Sequence, residues 1–274
     1  MSIELEGRQS VEVVRLHRGD APLIVSMPHV GTTIPAAIAD TMTPIARHVP
    51  DTDWHVERLY DMAPDMGATM IEATHSRYVI DLNRDPDNKP LYPGADNTEL
   101  CPTSTFDLEP IYLPGQEPDQ AEISRRIETY WQPYHRAITD EISRLREKHK
   151  QVVLWDGHSI RSVIPRFFEN QLPDINLGTG NGTSADPELA RRVVETAEAA
   201  NTYTTAFNGR FKGGHITRTY GAPDQGVHTI QLELSQVTYM EETLPFRYLP
   251  EKADEAKAVI GRMLKSVTDW LSQT

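Results

Sequence analysis

The chain has one cysteine, Cys101, in 274 residues. That excludes an internal disulfide framework and predicts a reducing, cytoplasmic setting. No apolar run approaches the roughly 20 residues needed to span a bilayer, so no membrane partner is expected. The N-terminus lacks a basic start followed by an apolar stretch, and no signal peptide is predicted. Basic residues are in the minority, 27 Lys and Arg against 40 Asp and Glu, for a net charge of −13. This argues against a nucleic-acid surface. An anionic small ligand would need a local arginine cluster to overcome that field. Contiguous catalytic signatures are missing too. There is no H-E-x-x-H, no cysteine pair at zinc-site spacing, no G-x-S-x-G turn and no dinucleotide or P-loop glycine pattern.

What is present is enough for a folded core: 38% hydrophobic and 24% charged residues. Short apolar runs predict strands over 11–16, 23–27, 68–73, 77–82, 152–156, 203–207 and 227–235. Helical spacing predicts helices opening near Asp51, over 121–150 with a break at Pro133, from Asp186 to about Ala200, and over 254–271. His135 and His149 are expected on the surface of the second of these. The stretches 83–118 and 160–183 read as irregular, the former as a loop covering a crevice. Residues 211–218 read as a loop of small residues around His215 and Arg218. Strands alternating with helices, without repeat or linker, predict one three-layer α/β domain over 1–274.

Three of the strands run straight into polar clusters. Leu23 to Met27 meets Pro28-His29-Val30-Gly31, Tyr78 to Ile80 meets Asp81-Leu82-Asn83-Arg84, and Val152 to Asp156 meets Gly157-His158-Ser159. Ligands in open α/β sheets sit beyond the carboxyl ends of such strands. His29, His158 and one Asp or Glu would supply three ligands for Zn2+ or another divalent metal, with a fourth position open for catalysis. Asp51 and Asp53 are alternatives for the acid, each equally explained as a helix cap. Glu233 shares a strand face with Gln231 and Ser235, which reads either as a solvent-facing row or as a proton-shuttling carboxylate. Arg77, Arg84, Arg210 and Arg218 flank the polar segments and suggest a small acidic substrate. Ser159 and Cys101 are weaker candidates as nucleophiles.

Taken in order, Ser26-Met27-Pro28-His29-Val30-Gly31, Asp51-Thr52-Asp53-Trp54-His55-Val56, Arg77 to Arg84, Asp156-Gly157-His158-Ser159, Gly214 to Arg218 and Gln231-Leu232-Glu233-Leu234 resemble the N-formylglutamate amidohydrolases. The resemblance runs from about residue 22 to residue 240. It implies a zinc-carboxypeptidase-like (phosphorylase/hydrolase-like) α/β sandwich with a central mixed sheet. It implies hydrolysis of N-formyl-L-glutamate to formate and L-glutamate, a step of histidine degradation. It implies metal ligands His29, Asp53 and His158, with Asp53 preferred over Asp51. The D-x-N-R motif matches Asp81, Asn83 and Arg84. The resemblance thus implies that Asn83, Arg84 and Arg218, with Arg77, bind the substrate and that Glu233 is the general base. Thr32 stands where relatives carry the acid of an H-x-x-E pair. Two other readings stay open: an amidohydrolase for another N-acyl amino acid, and a non-catalytic metal or small-anion binding protein.

Overall fold

A computed structural model describes residues 12–91, 94 and 96–274. Among the described residues, seven strands form one mixed sheet, in the order β1-β3-β2-β4-β7-β5-β6. In chain order the elements are β1 (Val14–His17), β2 (Leu23–Met27), the short helices α1 (Ala36–Ala39) and α2 (Val56–Leu59), and β3 (Thr69–Ala73). Then come α3 (Gln120–Arg126), α4 (Gln132–Arg146), β4 (Val152–Ile160), β5 (Ile175–Gly178) and α5 (Pro187–Glu198). β6 (Thr205–Phe207), α6 (His215–Tyr220), β7 (Val227–Ser235) and α7 (Pro250–Leu271) complete the fold. The four central strands, β3, β2, β4 and β7, are parallel, while β1 and β5 run against their neighbours β3 and β7. Among the described residues, no helix is long and apolar enough to cross a membrane.

Strand alternation sorts the core into two layers. Leu23, Val25, Met27, Val153, Trp155, Ile230 and Leu232 pack with α5 and α7 residues such as Leu189, Val193, Ile260 and Leu264 on one face. Ile24, Ile71, Val152 and Leu154 pack with Tyr134, Ile138 and Leu145 of α4 on the other. β4 and β7 are buried along their whole length, as central strands covered on both faces should be.

Several sequence expectations need correction. Gly157 does not end β4, which continues to Ile160 alongside β7. A Cβ at Gly157 would stand 3.0 Å from the Tyr60 ring, so the glycine makes room for a neighbour. Segment 77–82 is not a strand. Its apolar residues are buried, but its backbone bonds are local or reach the loop after it, Val79 N–H to Ser76 O and Asp81 N–H to Leu100 O. Burial of an apolar run does not require a ladder. The helix expected to open near Asp51 shrinks to α2, because His55 adopts a left-handed backbone (φ 63°) just before it. The break expected at Pro133 lies earlier, as a π turn over Ile127–Trp131, and Pro133 sits in the first turn of α4. β5 lies inside the stretch expected to be irregular, and α6 begins immediately after Gly214. His135 is buried, not at the surface. The first strand covers Val14–His17; Val11 and, within loop 83–118, Tyr92, Pro93 and Ala95 lie outside the described residues.

Candidate metal centre and substrate cavity

The site is built by a mismatch in strand length. β2 pairs with β4 only as far as Ser26 opposite Asp156. β4 runs on, with Asp156 opposite Gln231 and His158 opposite Glu233. On the face that is apolar at Val152 and Leu154, alternation now presents Asp156 and His158 beside Gln231 and Glu233. The segment after β2 fills the space left free along β4, and it carries His29. Backbone pairing of Asp53 N–H with His29 O brings in the second acid-bearing turn. The site therefore lies over the carboxyl half of the sheet face rather than beyond the strand tips.

Three ligand atoms converge there. His29 Nδ1 lies 3.2 Å from His158 Nδ1 and 3.7 Å from Asp53 Oδ2, and His158 Nδ1 lies 3.2 Å from Asp53 Oδ2. An ion with tetrahedral bonds of about 2.0–2.1 Å holds its ligands roughly 3.3–3.4 Å apart. The far side of each ring is braced by a carboxylate. His29 Nε2 is 2.7 Å from Asp81 Oδ1, and His158 Nε2 is 3.1 Å from Asp156 Oδ2. With Nε2 donating to these carboxylates, the Nδ1 atoms are the ones turned inward, where both would offer lone pairs to a metal. Asp53 Oδ1 is buried without a hydrogen-bond partner among the described residues. The donor set, its spacing and that orphaned oxygen all fit a divalent ion.

Electrostatics favour an ionised acid at the centre. Burial works to raise Asp53, yet the imidazoles of His29 and His158 outweigh it and hold the carboxyl well below its ordinary range. Burial likewise opposes ionisation of Asp81, and Arg77, His29 and Arg84 more than offset it. Arg77 donates to Asp81 Oδ2 at 2.6 Å, and its other terminal nitrogen stands 3.9 Å from Asp53 Oδ1. Glu233 behaves differently. Burial pushes its carboxyl up to about 8, with His158 opposing and Asp53 adding to the rise.

The cavity above this cluster is lined by His29, Arg77, Asn83, Arg84, His158 and Glu233. Three of the six phenylalanines, Phe106, Phe167 and Phe211, supply apolar wall. Asn83 is locked: its Oδ1 accepts from Ile216 N–H at 2.8 Å, which directs its NH2 to donate to Asp156 Oδ2 at 3.4 Å. A Cβ on Gly214 would come within 2.4 Å of that amide, which is why α6 is preceded by glycine there. Gln231 Oε1 accepts from Gly214 N–H at 2.7 Å, leaving its NH2 to donate to Glu233 Oε2 at 3.3 Å.

The structure thus brings His29, Asp53, His158, Glu233, Arg77, Asn83 and Arg84 to one place. It does not bring Arg218, whose guanidinium donates to Gly213 O and Leu91 O and does not line the cavity. Arg210, on the other side of the small-residue loop, lines it instead, its guanidinium 5.9 Å and 5.4 Å from the Phe167 and Phe211 ring centres. Asp51 accepts from Tyr78 O–H and Phe106 N–H, so it anchors the cavity wall and stands apart from the ion cluster. Neither Asp51 nor Asp53 caps α2. Ser159 is tied to Tyr239 O–H, and burial pushes the Cys101 thiol up to about 11, so neither carries the marks of a nucleophile. The sequence points to Asp81 only as part of the D-x-N-R motif and to Asp156 only as a neighbour of His158; that the two brace the imidazoles is visible in the fold alone.

These features define a class: three-layer α/β proteins with a His–Asp–His candidate metal centre and a guanidinium-lined cavity over one sheet face. A family model described as N-formylglutamate amidohydrolase matches residues 21–240. The N-formylglutamate deformylase of Pseudomonas putida is 48% identical over 259 residues, covering 94% of this chain and 97% of that protein. The protein of the same name from Pseudomonas aeruginosa PAO1 matches at the same identity and coverage. The crystal structure of N-formylglutamate amidohydrolase from Ralstonia eutropha JMP134 superposes with a TM-score of 0.80 at 27% identity, over 95% of this chain and 98% of that one. The chain belongs to the N-formylglutamate amidohydrolase family.

Proposed function

We propose that this protein hydrolyses the formyl amide of N-formyl-L-glutamate, releasing formate and L-glutamate. The observation that carries the reading is the convergence of His29 Nδ1, Asp53 Oδ2 and His158 Nδ1 beneath a cavity also lined by Glu233 and the guanidinium groups of Arg77, Arg84 and Arg210. His29, Asp53 and His158 would hold the ion, for which nitrogen and oxygen donors at this spacing suit zinc. Such an ion supplies a polarised formyl oxygen and a water acidified to a pKa near 7.

The remaining work falls to side chains. Glu233 accepts the proton of the attacking water and delivers it to the departing amino nitrogen. For this it must start as a carboxylate, and the positive charge of a bound ion acts against the burial that pushes it up to about 8. The Gln231 amide, oriented by Gly214 N–H, holds Glu233 Oε2 in place. N-formyl-L-glutamate carries two carboxylates, and Arg84 and Arg210, which line the cavity, would receive them, with Asn83 beside Arg84. Arg77 is committed to Asp81, so its part is to offset the carboxylates around the ion rather than to clasp substrate. This local cluster overcomes the overall charge of −13. The phenylalanine walls exclude water and strengthen these charged contacts. We place the reaction in the cytoplasm, in keeping with the single, buried thiol.

Formate release tests the reading. The protein loaded with zinc should hydrolyse N-formyl-L-glutamate well ahead of N-acetyl-L-aspartate and N-formyl-L-glutamine. Equal rates on all three would contradict the assignment of two guanidinium groups to two carboxylates.

A further inference from the structure

The segment Asp81–Arg84 supplies Asn83 and Arg84 to the cavity, yet no strand ladder holds it. A pair of aromatic side chains on the long helical stretch holds it from behind. Trp131 Nε1–H donates to Arg84 O at 3.1 Å. His135 Nε2–H donates to Leu82 O at 2.8 Å, while its Nδ1 accepts from Tyr220 O–H at 2.8 Å. The two carbonyls flank Asn83, so both neighbours of that residue are pinned. The two rings stack at 3.6 Å and 19°, and His215 of α6 touches both, with ring centres at 5.8 Å and 5.6 Å. From the front, Ile216 N–H holds the Asn83 side chain.

The π turn over Ile127–Trp131 gives this arrangement its register. Such a turn inserts an extra residue into a helix and rotates the turns before it relative to the turns after it. Here α3 keeps Arg126 on Val79 O and Tyr112 O–H, while Trp131 and His135, one turn apart, face the carbonyls of Arg84 and Leu82. Arg84 in turn spans to Thr98, donating from Nε to its carbonyl and from a terminal nitrogen to its hydroxyl. Its backbone height therefore sets where the guanidinium meets substrate.

We propose that Trp131 and His135 are positioning residues: a clamp that fixes Asn83 and Arg84 for recognition of the substrate carboxylate without touching substrate themselves. The inference rests on the function proposed above. Its test is the Trp131→Phe protein, which keeps an aromatic ring and loses the N–H donor, assayed for formate release beside the wild type. The clamp predicts KM for N-formyl-L-glutamate raised about five- to tenfold, the scale of one lost hydrogen bond. It predicts kcat within about twofold, and metal content and melting temperature near wild type. His135→Leu should show the same KM shift. A wild-type protein that releases formate, with a Trp131→Phe KM unchanged, overturns the clamp alone. So does a parallel fall of kcat, metal content and melting temperature, which marks a merely structural contact. A wild-type protein that releases no formate overturns the proposed function and the clamp together.

Discussion

Two substitutions separate the parts assigned to single side chains. Glu233→Gln removes the proton acceptor and keeps the shape, so kcat should fall by about two to four orders of magnitude while bound metal is unchanged. Elemental analysis and formate release on the same sample check both halves, and retained turnover would remove Glu233 from its role. Arg84→Lys exchanges a planar fork for a point charge. KM for N-formyl-L-glutamate should rise about tenfold, and an unchanged KM in steady-state assays would count against carboxylate recognition by Arg84. His29, His158 and Glu233 are legible in the chain because each stands in a short polar motif tied to an apolar strand. The choice of Asp53 over Asp51 comes from resemblance, and only the fold shows why the two differ: one reaches the imidazoles, the other a tyrosine and a loop amide. Arg218 and Arg210 flank the small-residue loop alike in sequence. Which of them turns inward depends on the path of α6, a helix that the run of small residues hides.

Elements are legible where local signals and burial agree. β2 stands where a short apolar run puts it and β7 where apolar alternation does, and α5 starts where Asp186 accepts from the free N–H groups of Glu188 and Leu189. Asp186→Ala should cost about 1 kcal/mol in urea unfolding, with activity intact; no change in the midpoint would mean that the cap is idle. β4 reads short in sequence because a glycine looks like an ending. In the fold, Gly157 yields space to Tyr60, whose hydroxyl receives the Trp155 N–H at 2.8 Å. Gly157→Ala should therefore destabilise by about 1–3 kcal/mol through overpacking, and a melting temperature at or above wild type would refute that contact. Segment 77–82 misleads in the opposite direction. Its apolar residues report burial, and burial alone does not separate a strand from a turn packed under a loop.

At the scale of the molecule, the alternation of strands and helices conveys the three layers, but the antiparallel placement of β1 and β5 depends on contacts between residues far apart in the chain. Stability should depend on pH through the helical layer. Burial holds His135 down to about 3 in the folded protein, against about 6.5 when exposed. Below pH 6.5 the unfolded chain takes up a proton that the folded chain refuses until near pH 3. Stability is complete above 6.5 and is lost as pH falls towards 3, by up to about 1.4 kcal/mol per pH unit from this group. Urea midpoints between pH 6.5 and 4.5 should fall less steeply for His135→Leu than for wild type, and parallel slopes would place the histidine's protonation elsewhere. The central claim concerns the ion. Metal content by elemental analysis, on wild type and on Asp53→Ala and His158→Ala proteins shown to be folded, addresses it most directly. The account predicts one divalent ion per wild-type chain and far less than one in each variant. Wild type without stoichiometric metal, or variants that keep a full complement, would contradict it.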